Sequence, residues 1–299
     1  MIEKIIINIL IILFGFLIKK TRILPENTGK VLSRFIVYIT LPATILKVFL
    51  TTKIQMDFII LPISSLLLGL SVFLLSFFIL RSLNFEEKIK WTLLISLCGY
   101  NVGLFAYPFI QSICGDEGLF IMAMFDIGNS FLVFGLAYAV SLIAVNQSKI
   151  DFYKIIKNVI LFFPLDIYII SIILNLFNIK FPSLLYDFVS QLSMPNNVLA
   201  LFTIGFFLDF NLNTSELKAL TLGLILRVLP GILFSFIIFY FFPSNLISKI
   251  ISIGLLLPAP LVAILYSSER NLNVKLASLL VSLTIITGVI SIFFIMKEC

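Results

Sequence analysis

The stretch GLLLPAPLVAILY, residues 254–266, decides how this chain is read. It lies within an apolar run, 246–266, long enough to cross a bilayer as a helix. Pro258 and Pro260 stand two residues apart near its centre. A proline removes a backbone donor and clashes with the preceding turn, at a cost of about 3 kcal/mol or more in a helix interior. Pro258 would free the carbonyl of Gly254, and Pro260 that of Leu256. Irregular backbone at membrane depth survives only where protein or a watery cavity satisfies it. The stretch therefore reads as two half-helices joined by a short extended piece. Single intramembrane prolines such as Pro62 and Pro164 require no more than a kink.

Composition sets the frame for this reading. The chain has 299 residues, 61% of them hydrophobic, including 32 phenylalanines, and a mean hydropathy of +1.17. Only 12% are charged, so bilayer is the implied solvent. Histidine is absent, which removes His relays, His metal sites and Ser-His-Asp chemistry. Cys98 lies in the fourth expected span and Cys114 at its end, about 24 Å apart along a helix, beyond disulfide reach. The apolar N-terminal run ends in Lys19, Lys20 and Arg22 with no small-residue cleavage pattern, so a retained first span is expected rather than a signal peptide. The excess of 21 basic over 15 acidic residues lies between spans and does not suggest nucleic acid.

Ten spans are expected, over 2–18, 31–50, 58–80, 91–113, 119–144, 155–177, 184–208, 217–242, 246–266 and 272–296. Fourteen Lys and Arg fall on one side: Lys19, Lys20, Arg22, Lys30, Arg34, Arg81, Lys88, Lys90, Lys149, Lys154, Lys157, Lys218, Arg270 and Lys275. Five fall on the other: Lys4, Lys53, Lys180, Lys249 and Lys297. The positive-inside rule places the richer side in the cytoplasm and both termini outside, in a multi-pass protein of the plasma membrane.

The polar break at 144–154 halves the chain into 1–146 and 155–299. The stretch RFIVYITLPATILKVF (34–49) can be laid on DFVSQLSMPNNVLALF (187–202), matching Pro42 to Pro195 and Thr40 to Ser193. The same offset brings Pro108 close to Pro258 and Pro260. With five spans in each half, the second copy enters from the opposite side. Inverted repeats of this kind are a signature of secondary transporters.

The fourth span carries CGYNVGLFAYPFI (98–110), with Gly99, Asn101, Gly103 and Pro108 at mid-membrane. An unpaired buried amide costs several kcal/mol in hydrocarbon, so Asn101 must find partners, and a second interruption is expected there. If spans four and nine cross, four half-helix ends converge. The N-terminal ends present free N–H groups and partial positive charge, which suit an anion.

The segments LPATILKVF (41–49), NVGLFAYPF with GDEGLFIMAMFDIGNSFLVF (101–109, 115–134), LALFTIGFFL (199–208) and LLLPAPLVAILY (255–266) resemble the auxin efflux carrier family, over essentially the whole chain. That family includes plant auxin exporters and microbial permeases for small organic acids. The resemblance implies two inverted five-helix repeats. Helices 1, 2, 6 and 7 would form a scaffold, and helices 3–5 and 8–10 a transport domain containing crossing broken helices four and nine. It also implies alternating access and a fold related to bile acid:sodium symporters. The loop between the halves is short, and Asn101 is followed by Val102 rather than by the Pro-Asn typical of the plant exporters. These departures favour a permease of microbial type.

The expected substrate-binding set is Asn101, Gly103, Tyr107, Pro108, Pro258, Ala259, Pro260, Asn196, Asn197 and Thr44. Pro42 and Pro195 mark scaffold helix breaks. Thr40, Thr44, Ser193, Asn196 and Asn197 flank them; interhelical hydrogen bonds account for some, while the adjacent amides Asn196 and Asn197 are the stronger functional candidates. Asp126, with Asn129 one turn on, is either a cation or proton site or a structural hydrogen bond, with equal weight. Arg227 reads as a substrate countercharge or as a structural pair with Asp166 or Asp126, or as snorkelling; the structural readings are preferred because it lies outside the crossing helices by sequence. Lys47 reads as snorkelling, and Asp116 and Glu117 as helix-start charges.

The function expected is secondary or facilitative transport of a small organic anion, a mono- or dicarboxylate. The alternatives are an ion-coupled carrier of a bile-acid-like solute and a membrane-embedded enzyme, which the lack of His and of clustered acids disfavours. No cofactor or metal is implied. The partners implied are the anion, a proton, a sodium ion or no coupling ion, and the bilayer; the assembly, single copy or homodimer, stays open.

Overall fold

The computed structural model describes residues 2–146, 153, 156–157, 163–210, 216–242 and 245–296. Among these the chain is helical, with no strand. The break between the halves, with Lys149 and Lys154, and the outer Lys297 lie outside the described residues.

Helix α1 is Ile2–Thr21. Then α2 (Thr28–Phe35) runs through a π turn, Ile36–Thr40, into α3 (Leu41–Thr51). α4 is Ile60–Ser82 and α5 is Glu87–Leu97. A second π turn, Val102–Ala106, opens α6 (Tyr107–Ser130), and a third, Phe131–Leu136, leads to α7 (Ala137–Asn146). The later elements are α8 (Phe163–Leu176), α9 (Ser183–Ser193), α10 (Asn196–Phe207), α11 (Leu217–Phe241), α12 (Leu246–Leu256), α13 (Val262–Glu269) and α14 (Val274–Ile295).

Five described stretches are long and apolar enough to cross a membrane: Thr28–Thr51, Asp57–Ser82, Val102–Val145, Leu217–Phe241 and Val274–Ile295. Shorter apolar helices accompany them, including Phe163–Leu176 and Leu246–Leu256. The long stretch 102–145 is bent at Gly115, whose φ of 67° and ψ of −159° are not helical.

The two expected scaffold breaks differ. Pro195 separates α9 from α10. At Pro42 the backbone stays helical, which corrects the expected break. The π turn before it widens the helix where the proline ring would otherwise collide, and Pro42 stands in the first turn of α3, where no donor is needed.

Packing groups the elements. α1 packs on α10, α2 on α10, and α3 on α8 and α9. α1 and α10 meet backbone to backbone: a Cβ on Gly15 would strike the Phe202 carbonyl, and one on Gly205 the Ile12 carbonyl. In a second group α4 packs on α6, α5 on α7, α13 and α14, and α12 on α6, α11 and α14. The groups meet where α6 and its π turn lie against α10, and α6 also touches α1, α3 and α8. Lys249 is buried in the first turn of α12, which removes it from the loop charges assigned by sequence.

Candidate functional site

Helix α5 ends at Leu97, and the chain is not helical again until Val102. Gly99 makes this possible. Its φ of +81° is the left-handed region, and a Cβ there would collide with Val133. Opposite it, α12 ends at Leu256; Leu257 is extended (φ −63°, ψ 155°), and helix resumes at Val262. The joint thus contains Pro258, Ala259 and Pro260, none of which is helical.

The two joints touch. The N–H of Asn101 donates to the carbonyl of Pro258 at 3.0 Å. Further backbone groups of the joints are met by side chains from elsewhere. The N–H of Ala259 donates to Thr284 Oγ1 of α14 at 3.0 Å. Asn129 Oδ1 accepts from the Tyr100 N–H at 2.7 Å, and its Nδ2 donates to the Tyr100 carbonyl at 3.0 Å.

Arg227 of α11 binds both joints. Nη1 donates to the Gly99 carbonyl at 2.7 Å. Nε and Nη2 donate to Leu257 O at 3.1 and 3.0 Å, and Nη2 also to Pro258 O at 2.8 Å. The guanidinium lies 4.2 Å above the Tyr100 ring, a cation–π contact. Arg227 is 2% exposed. It therefore neither snorkels nor bonds Asp166 or Asp126, and the sequence-based placement outside the crossing is corrected. Its carbonyl partners end α5 and α12, where helix dipoles leave partial negative charge and unpaired carbonyls. Arginine suits this position because its planar fork stays protonated and can hold several acceptors at once.

Around this centre the expected site residues divide. Asn101 is 5% exposed and its Nδ2 has no partner among the described residues. Gly103 faces Leu41 of α3. Asn196 is 1% exposed; its Oδ1 accepts from Thr40 Oγ1 at 2.8 Å, and its Nδ2 has no partner among the described residues. Thr44 donates to the Thr40 carbonyl at 2.7 Å, a bond within its own helix. Pro108 sits in the first turn of α6, after the π turn that accommodates it.

Asn197 belongs to another chain of contacts. Its Nδ2 donates to Gln111 Oε1 at 2.8 Å, Gln111 Nε2 donates to Asp116 Oδ1 at 2.8 Å, and Asp116 lies 3.8 Å from Lys47 Nζ. Lys47 is thus an ion-pair partner of a partly exposed carboxylate.

Asp126 and Asn129 form the other polar cluster. Asn129 Nδ2 donates to Asp126 Oδ1 at 2.8 Å. Tyr168 of α8 donates to Oδ2 at 2.8 Å, and Tyr107 to the same oxygen at 3.4 Å; the two phenol oxygens are themselves in contact. Tyr168, Thr284 and Gln111 were missed by sequence reasoning. A lone tyrosine, threonine or glutamine in an apolar helix carries no local signal. Arg227 did carry one, since a charged residue within a span is functional by default.

Comparison with known proteins points to membrane transport. A family profile described as membrane transport protein matches residues 1–153. An uncharacterized transporter of Methanothermobacter thermautotrophicus is 21% identical over 295 residues, covering 97% of this chain and 95% of the relative. An uncharacterized transporter of Methanocaldococcus jannaschii is 28% identical over 247 residues, 79% of this chain and 75% of the relative.

Proposed function

We propose, from the premise that this chain belongs to the membrane transport protein family, that it is a secondary carrier of a small organic anion, a mono- or dicarboxylate. The cargo site is the crossing of the two interrupted helices. Ten spans in two inverted repeats, 1–146 and 155–299, place it near the bilayer midplane. The elements of spans 1, 2, 6 and 7 form the scaffold, and those of spans 3–5 and 8–10 the moving body. Both termini face outward from the plasma membrane.

The observation that carries this reading is the junction of the two breaks through Asn101, Pro258 and Arg227. Arg227 neutralises the C-terminal ends of the two half-helices that enter the crossing. The N-terminal ends that leave it, at the start of the α6 turn and of α13, keep their partial positive charge and favour an anion. Buried Nδ2 donors on Asn101 and Asn196, without acceptors among the described residues, point the same way, because a buried donor lacking an acceptor costs about 1–3 kcal/mol. The grouping of α1–α3 with α8–α10, against α4–α7 with α11–α14, supports two bodies able to move against each other.

The test is reconstitution of the purified chain in liposomes with labelled mono- and dicarboxylates under imposed proton and sodium gradients. Saturable flux with counter-exchange is expected. It collapses in Asn101→Ala and falls in Pro258→Ala/Pro260→Ala. Unchanged flux in both variants removes the site, and non-saturating flux without counter-exchange makes the protein a channel. Uptake of a bile-acid-like solute in place of short carboxylates would establish the alternative cargo.

A further inference from the structure

Asp126 is 8% exposed in the apolar interior of α6. Its contacts are Asn129 Nδ2 on Oδ1, and the hydroxyls of Tyr168 and Tyr107 on Oδ2. All are neutral donors. The charged groups on the elements packed against α6 lie elsewhere. Lys47 of α3 is paired with Asp116. Arg81 ends α4, Asp57 is exposed in the 3-10 turn Met56–Ile59 before it, and Glu3, Lys4, Lys19 and Lys20 stand in the terminal turns of α1. Lys249 of α12 makes no ion pair among the described residues, and Asp166 of α8 is half-buried two residues from Tyr168. α10 carries no charged residue.

A carboxylate held in a low-dielectric interior by neutral donors alone is relieved by taking up a proton. A hard cation such as sodium collects oxygen acceptors instead, and the three side chains on this carboxyl each offer a hydrogen. The cluster also joins parts of the molecule. Asn129 spends one amide hydrogen on Asp126 and the other on the Tyr100 carbonyl, while its oxygen holds the Tyr100 N–H. Tyr168 reaches Asp126 from α8, in the other packing group.

We infer that Asp126 is a proton-binding site coupled to the helix crossing through Asn129 and to the opposing body through Tyr168. Hydrogen bonds to an ionised acceptor are roughly twice as strong as neutral ones. The ionised carboxylate therefore holds α8 and the Tyr100 joint tightly, and uptake of one proton from water loosens both. The proton leaves to whichever side the site next faces, and no other bond is made or broken. The coupling role rests on the carrier reading above; the proton site does not.

Two measurements separate them. Infrared difference spectra of the full-length protein in liposomes, taken without sodium above about pH 5.5, where exposed carboxylates stay ionised, are expected to show a protonated-carboxyl band that is absent in Asp126→Asn. In Tyr168→Phe the band remains and its midpoint shifts, since a donor to the carboxyl is gone. Identical spectra for wild type and Asp126→Asn, or a band that responds to sodium and not to pH, overturn the site. Tyr168→Phe keeps the test open should Asp126→Asn fail to fold, because an unmoved midpoint is equally fatal. In the flux assay, accumulation driven by a proton gradient is expected to fall at least tenfold in Asp126→Asn. Saturable wild-type flux indifferent to the proton gradient overturns the coupling and leaves the carrier. A titrating band with no saturable flux retires the carrier and leaves the proton site.

Discussion

The two joints at the crossing perform the same task by different chemistry. At Leu257–Pro260 the break is local: two prolines two residues apart lack the donors a helix would need, and the residues between α12 and α13 are not helical. At Cys98–Asn101 no residue forbids a helix outright. Gly99 permits the left-handed turn, and Asn129, Arg227 and the Pro258 carbonyl hold it open. One joint is enforced locally and the other by its neighbours. Ligand or proton binding can therefore adjust the second more readily than the first, because its conformation depends on contacts that can strengthen or weaken.

That contrast can be broken most severely at Arg227, which serves both joints. Arg227→Leu orphans the Gly99 and Leu257 carbonyls and is expected to cost about 3 kcal/mol or more, read as a large drop in thermal unfolding temperature in detergent. Arg227→Lys should recover only part, since an ammonium lacks the planar fork. A Leu variant as stable as wild type would mean that the joints do not depend on the clamp. The next effect is at the conditional joint. Gly99→Ala forces a side chain into φ +81° and against Val133, at about 1–3 kcal/mol. The smallest is at the enforced joint: in Pro258→Ala the carbonyls of Leu257 and residue 258 stay bound to Arg227, so less than about 1 kcal/mol is expected, with flux rather than stability reporting the change. If Pro258→Ala proves more destabilising than Gly99→Ala, the assignment of enforced and conditional joints is reversed.

Much of this was legible without coordinates. Local features alone, a polar amide and two missing donors in apolar runs, mark interruptions at Asn101 and at 258–260; that the two meet is an expectation conditional on the spans crossing, and the structure joins them through the Asn101 N–H and the Pro258 carbonyl. Pro42 misled because a π turn, which leaves no mark in composition, absorbs the proline. Lys249 misled because a basic residue beside a polar loop reads as solvated until its helix is packed. Arg227 misled most: distance along the chain was taken for distance from the site, although 128 residues separate it from the Gly99 carbonyl it binds.

By itself the sequence determined that the chain is helical, that its solvent is lipid, and that its backbone is interrupted at 258–260. These follow from apolar run length and from donors that proline lacks, which are properties of neighbouring residues. Only the tertiary structure decided what satisfies the interruptions and what faces Asp126. An orphaned carbonyl demands a donor but does not specify which. Packing chose Arg227 from α11 and Tyr168 from α8, because helix contacts bring those side chains within hydrogen-bond reach and no local pattern encodes them.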